Sequence, residues 1–151
     1  MPADLMLIGE APGYWELQAG RPFVGRAGKK LDQLLLKASL KRADVRITNT
    51  CGCVDMSRED RRPLPVELEA CAPRLEAEIE MTNPRAIVLM GNTAITRWYP
   101  GYRIGEVYNT PRVVGGRIYI PTYHPAAVLR GHPQLEPIIT EALMLAGRLT
   151  A

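Results

Sequence analysis

Apolar and polar positions change period several times along the 151 residues. The run DLMLI (4–8) is ended by Gly9, the pattern of a strand buried on both faces of a parallel sheet. From Gly28 onward, KKLDQLLLKASL sets Leu31, Leu34, Leu35 and Leu40 at helical spacing, which predicts a helix. VRITNT (45–50) is a second strand. After Pro65, VELEACAPRLEAEIEM (66–81) reads as an amphipathic helix whose start is expected to be offset by Pro73. RAIVLMG (85–91) is the clearest strand of all, and NTAITRWY (92–99) follows as a short helix. The stretch with Pro100, Gly101, Gly105 and Pro111 reads as a loop. GRIYIPTYHP (116–125) then forms a fourth strand ending at His124, and a last helix occupies roughly 134–149.

Strands alternating with helices predict an α/β fold, a three-layer α/β/α domain over residues 1–151 built on a central four-stranded parallel sheet. In such sheets the ligand crevice lies at the carboxyl ends of the strands. Three polar motifs fall there: GEAPG after the first strand, TN after the second and TYHP after the fourth. They are expected to meet in one cleft.

Composition narrows the class. With 46% hydrophobic, 23% charged and 6% aromatic residues, the chain is that of a globular protein. No apolar run is long enough to span a bilayer. The opening MPADLMLIGE has no basic segment or cleavage site, so an intracellular, cytoplasmic protein associated with the nucleoid is expected, without a membrane partner. A net charge of +3 favours a polyanionic partner only mildly. The distribution says more: arginines gather in SREDRRP (57–63) and recur at 21, 26, 112, 117 and 130, in segments containing glycine or proline.

The segment GEAPGYWELQAGRPFVGRAG (9–28) holds five glycines, two prolines and Phe23, the one phenylalanine of the chain. A strand, a glycine-rich turn and a helix together suit a phosphate. Yet GEAPG is neither G-x-G-x-x-G nor a Walker A loop, since no Lys and Ser/Thr pair closes it. The turn sets the Glu10 carboxylate at the strand exit while Pro12 and Gly13 redirect the chain.

GEAPG, then Glu16, GRPFVGRAG, TN at 48–49 and TYHP from 122, together with LPVELEAC (64–71), NPRAIVLMGNTA (83–94) and HPAAVLR (124–130), resemble in this order the family 4 enzymes of the uracil-DNA glycosylase superfamily. The similarity runs from about residue 4 to 131. The resemblance implies a uracil-DNA glycosylase fold and a monofunctional hydrolase that flips uracil out of DNA and leaves an abasic site. It implies that Glu10 positions water, His124 stabilises the departing base near O2, Phe23 stacks on the base, and Ala11, Glu16 and Asn49 contact it. Asn49 suits the reading of uracil, because one side-chain amide accepts from N3–H and donates to O4 at once, and cytosine reverses that pattern. Glu16 is expected near C5, against the methyl of thymine. Gly13, Arg26, Arg61, Arg62, Leu129 and Arg130 are expected at the DNA, Leu129 as a wedge and the arginines at phosphates. Partners are then DNA containing uracil and no other subunit.

Two departures stand out. The family's [4Fe-4S] cluster takes four cysteines, two of them from a C-x-x-C pair ahead of the first motif, and that pair is absent from this chain. No cofactor is therefore expected. If a cluster were bound, Cys53 and Cys71 would match the downstream ligands, with Cys51 as an additional thiol. Residues 98–118 also lack the usual Arg-Gly element. Two other readings stay open: a superfamily member that binds DNA or a modified base without cutting it, and an α/β protein that binds a small nucleotide on its glycine-rich turn.

Overall fold

In a computed structural model, residues 3–11, 14–51 and 63–151 are described. Five strands form one sheet: β1 (Leu5–Gly9), β2 (Arg46–Asn49), β3 (Ala86–Met90), β4 (Arg112–Val114) and β5 (Arg117–Thr122), in spatial order β2-β1-β3-β5-β4. The first four positions in that order are parallel, and β4 runs antiparallel to β5 at the edge. All residues of β1 and β3 are buried, as expected of central strands covered on both sides.

Alternation along those strands divides the core. Leu5, Leu7, Val88, Met90 and Ile120 face helices α2 (Arg26–Lys37) and α7 (Glu136–Leu149), packing on Leu31, Leu34, Leu35, Ile139 and Leu143. Met6, Ile8, Ile87 and Leu89 face the opposite layer, with α3 (Pro65–Thr82), α4 (Asn92–Ile95) and α5 (Ile104–Val107). Three layers result.

The differences from the expected elements have local causes. A fifth strand exists because Gly115 and Gly116, both at positive φ (58° and 81°), close a tight two-residue hairpin. β4 is short and fully exposed, so it lacks the apolar signature of a strand. The stretch around Gly105 folds into α5, whose Ile104 N–H is received by Asn92 Oδ1 at 2.7 Å. Pro73 does not shift α3: the helix starts at Pro65, where a missing N–H costs nothing, and Pro73 lies on its exposed side. The glycine-rich segment is not all loop, since α1 (Tyr14–Ala19) lies within it. HPAAVLR holds a short helix of its own, α6 (Pro125–Leu129), divided from α7 by a 3-10 turn at Pro133–Leu135.

Gly28 fixes how the segment before α2 packs. A Cβ there would lie 2.0 Å from the Phe23 carbonyl oxygen and 2.1 Å from its carbon, both backbone atoms. Helix propensity alone favours alanine by about 1 kcal/mol. The clash opposes it and wins, so Gly28→Ala is expected to destabilise by about 1–3 kcal/mol in urea unfolding; a midpoint that holds or rises contradicts this packing.

Candidate active site

The carboxyl ends of β1, β2 and β5 open onto a small cleft, continuous with solvent and lined by Ala11, Glu16, Phe23, Ala27, Asn49 and His124. Each of the three motifs at strand exits contributes to it. The close approach depends on Gly9, where a Cβ would lie 2.7 Å from both Asn49 Oδ1 and Phe23 Cζ. Glycine lets the aromatic ring and the amide share the space beside the end of β1.

Phe23 is 5% exposed and has φ of 54°, a left-handed conformation that costs a non-glycine residue about 1–2 kcal/mol. Its ring stacks on His124 with centroids 5.3 Å apart and planes inclined at 24°. At that separation no third ring fits between them. The ring is nonetheless one of the groups that line the cleft.

The His124 ring is set by its place as N-cap of α6. Its Nδ1 accepts the backbone N–H of Ala126 at 3.0 Å, so Nε2 carries the proton of the neutral ring. Burial, followed by the charge of Arg130, lowers its pKa from 6.5 to about 4, against an opposing pull from Glu16. Gly91, at φ 93°, passes close by, with a virtual Cβ 3.3 Å from that of His124.

Asn49 is 7% exposed at the end of β2. Its carbonyl accepts from Arg74 Nη2 at 2.7 Å, and Arg74 Nη1 is held by Glu78 Oε1 at 2.8 Å. An arginine from α3 thus fixes the backbone that presents the amide. Glu10 projects next to the cleft rather than lining it. Thr93 Oγ1 of α4 donates to Glu10 Oε2 at 2.8 Å, and the Glu10 carbonyl receives the N–H of Cys51. Glu16 Oε2 accepts the backbone N–H groups of Val24 (2.9 Å) and Gly25 (2.6 Å). Since Gly25 is the N-cap of α2, the carboxylate also sits at the positive end of that helix.

Ala11, Glu16, Phe23, Asn49 and His124 are therefore brought together, with Glu10 adjacent. Arg26 is exposed at the first turn of α2, and Leu129 (37% exposed) and Arg130 lie at the end of α6, which packs against α2. Gly13, Arg61 and Arg62 lie outside the described residues. Nothing in the residue pattern marks Thr93 or Arg74: a threonine in NTA and an arginine in a charged helix both read as surface.

Cys51 is buried and Cys71 partly buried on α3, while Cys53 lies outside the described residues. Among the described residues no three His, Cys, Asp or Glu side chains gather as a metal site. A [4Fe-4S] cluster takes four thiolates, and the sequence given holds three cysteines. No helix of the described residues is long and apolar enough to cross a membrane.

The depressed pKa of His124 has a consequence for stability. An unfolded histidine takes up a proton near pH 6.5 and the folded one only near 4, so this residue adds stability that is complete above about pH 6.5 and is lost as pH falls towards 4. Imidazole NMR resonances of His124 are expected to show the Nε2–H tautomer at neutral pH and a midpoint near 4. A midpoint at or above 6.5 contradicts the buried, neutral ring.

Known proteins resemble this chain over most of its length. Residues 2–143 match the uracil DNA glycosylase superfamily. A type-4 uracil-DNA glycosylase of Thermotoga maritima is 39% identical over 141 residues, covering 91% of this chain and 72% of the relative. One of Sulfurisphaera tokodaii is 37% identical over 151 residues, covering 92% and 66%. In fold alone, the crystal structure of wild-type Pedobacter heparinus SMUG2 superposes with a TM-score of 0.56 over 97% of this chain and 75% of that one, at 8% identity. The chain belongs to the uracil DNA glycosylase superfamily.

Proposed function

We propose that this chain is a uracil-DNA glycosylase that removes uracil from DNA as the first step of base excision repair, acting as one domain over residues 1–151 and as a monomer on DNA inside the cell. The observation that carries the reading is the gathering of a stacking ring, a fixed amide and a neutral imidazole donor around one cleft, beside an oriented carboxylate.

The reaction adds water across the bond between C1′ of deoxyribose and N1 of uracil. A flipped uracil meets the Phe23 ring where it lines the cleft, and its edge meets the Asn49 amide, which accepts from N3–H and donates to O4. Glu16, fixed by two backbone N–H groups, stands against C5 and bars the methyl of thymine. As the glycosidic bond breaks, negative charge develops on the base. His124 donates Nε2–H to O2, and a neutral donor already in position stabilises that charge without prior proton transfer. Thr93 holds one oxygen of Glu10, while the other orients the water and supports positive charge on the sugar. The products are free uracil and an abasic site.

Arg26 and Arg130 meet phosphates on either side of the flipped nucleotide, and Leu129 enters the space the base has left. Gly13, Arg61 and Arg62 extend this surface in the same reading. The chemistry requires no metal, and every group named is a side chain of the chain itself.

Alkali-dependent strand scission of a uracil-containing oligonucleotide is expected with the wild-type chain. Glu10→Gln is expected to lower kcat by about 10²–10⁴-fold, and His124→Ala by about 10²–10³-fold. Binding of the oligonucleotide with no scission at any enzyme concentration contradicts the enzymatic reading, and loss of neither variant's activity contradicts the assigned roles.

A further inference from the structure

Arg42 is not among the residues that touch the cleft, yet its guanidinium is directed at the segment that carries the stacking ring. Nη1 donates to the Phe23 carbonyl at 2.6 Å and Nη2 to the Pro22 carbonyl at 2.5 Å. Nη1 is also bound to Asp32 Oδ1 at 2.9 Å, which ties the arginine to α2. Two successive carbonyls are thus gripped by the two arms of one planar fork, a geometry that a lysine does not reproduce.

The grip falls on the residue least able to hold its own conformation. Phe23 is at φ 54°, and its carbonyl points into the space left by the absent Cβ of Gly28. On the other side, Glu16 takes the N–H groups of the next two residues, Val24 and Gly25. The four residues 22–25 are therefore held from both sides: carbonyls by a cation, amides by an anion.

We infer that Arg42 is a positioning residue for base binding, holding Phe23 in its left-handed conformation so that the ring face is in place before a nucleotide arrives. The inference rests on the reading of Phe23 as the stacking surface. Without the fork, Phe23 relaxes towards an ordinary φ, its ring leaves the Gly9 edge, and the base loses its platform though every group that touches it is intact. Asp32 serves the same end by keeping the guanidinium oriented.

A double-mutant cycle tests this, with kcat/KM on a uracil-containing oligonucleotide and the thermal midpoint measured for each variant. Phe23→Ala is expected to lower kcat/KM. Arg42→Ala is expected to lower it by about ten- to a hundredfold, the cost of misplacing a binding group, and R42K to fall between R42A and wild type. In the F23A background, adding R42A is expected to change kcat/KM by no more than about twofold, because the ring it holds is gone. The inference is overturned if R42A leaves kcat/KM unchanged in the wild-type background, or if its full loss recurs in F23A, as it would for a merely structural arginine. An F23A variant with wild-type kcat/KM overturns instead the stacking role itself. Should R42A not fold, the same cycle run with R42K decides between these outcomes.

Discussion

Backbone approaching side chain at less than ordinary contact distance is the constraint on which this site depends. At Gly9 the end of the central strand comes so near to Phe23 and Asn49 that the space of one missing methyl group is what they occupy. At Gly28 the first turn of a helix does the same for the carbonyl of Phe23. A parallel sheet delivers its strand ends to one edge in any case. The glycines convert that shared edge into a cleft narrow enough for a ring on one wall and an amide beside it. A Cβ at either position would displace the very groups that give the cleft its chemistry.

The electrostatics follow from the same crowding. His124 is kept neutral by burial and by the nearby charge of Arg130, and capping α6 determines which nitrogen bears its proton. The site thus offers a donor without a full positive charge, suited to a developing anion. The carboxylates are each committed: Glu10 to the hydroxyl of Thr93, Glu16 to two backbone amides at the start of α2. Arginines stand one layer back, Arg74 gripping the carbonyl of Asn49 and Arg42 that of Phe23. Asn49 and Phe23 are presented by backbone that charged side chains hold in place.

Much of this was legible in the residues. The apolar runs at 4–8 and 85–91 had to be central strands, and the leucine spacing after Gly28 had to be a helix against them. Polar motifs at strand exits pointed to one cleft before any geometry was known. What escaped the pattern escaped it for physical reasons. Strand β4 is exposed on all three residues, so no hydrophobic period betrays it, though the Gly-Gly pair at 115–116 was a turn signal available to be read. The helical turn α5 depends on a bond from Asn92, twelve residues earlier. Pro73 leaves α3 in place because a proline on an exposed helix face breaks less than one facing a core. The partners of Glu10, Asn49 and Phe23 come from 93, 74 and 42, long-range contacts of residue types that sequence alone assigns to solvent. Glu16 was legible as a site residue, but its hold on the next segment was not.

The central claim is that a single pyrimidine ring fits this cleft on the face of Phe23 with its polar edge towards Asn49. A crystal structure of the protein with free uracil tests it most directly. The account predicts uracil stacked on the Phe23 ring, N3 and O4 within hydrogen-bonding distance of the Asn49 amide, and O2 directed at Nε2 of His124. Uracil bound elsewhere on the molecule, or a cleft that stays closed against the Phe23 and His124 rings at saturating uracil, would contradict it.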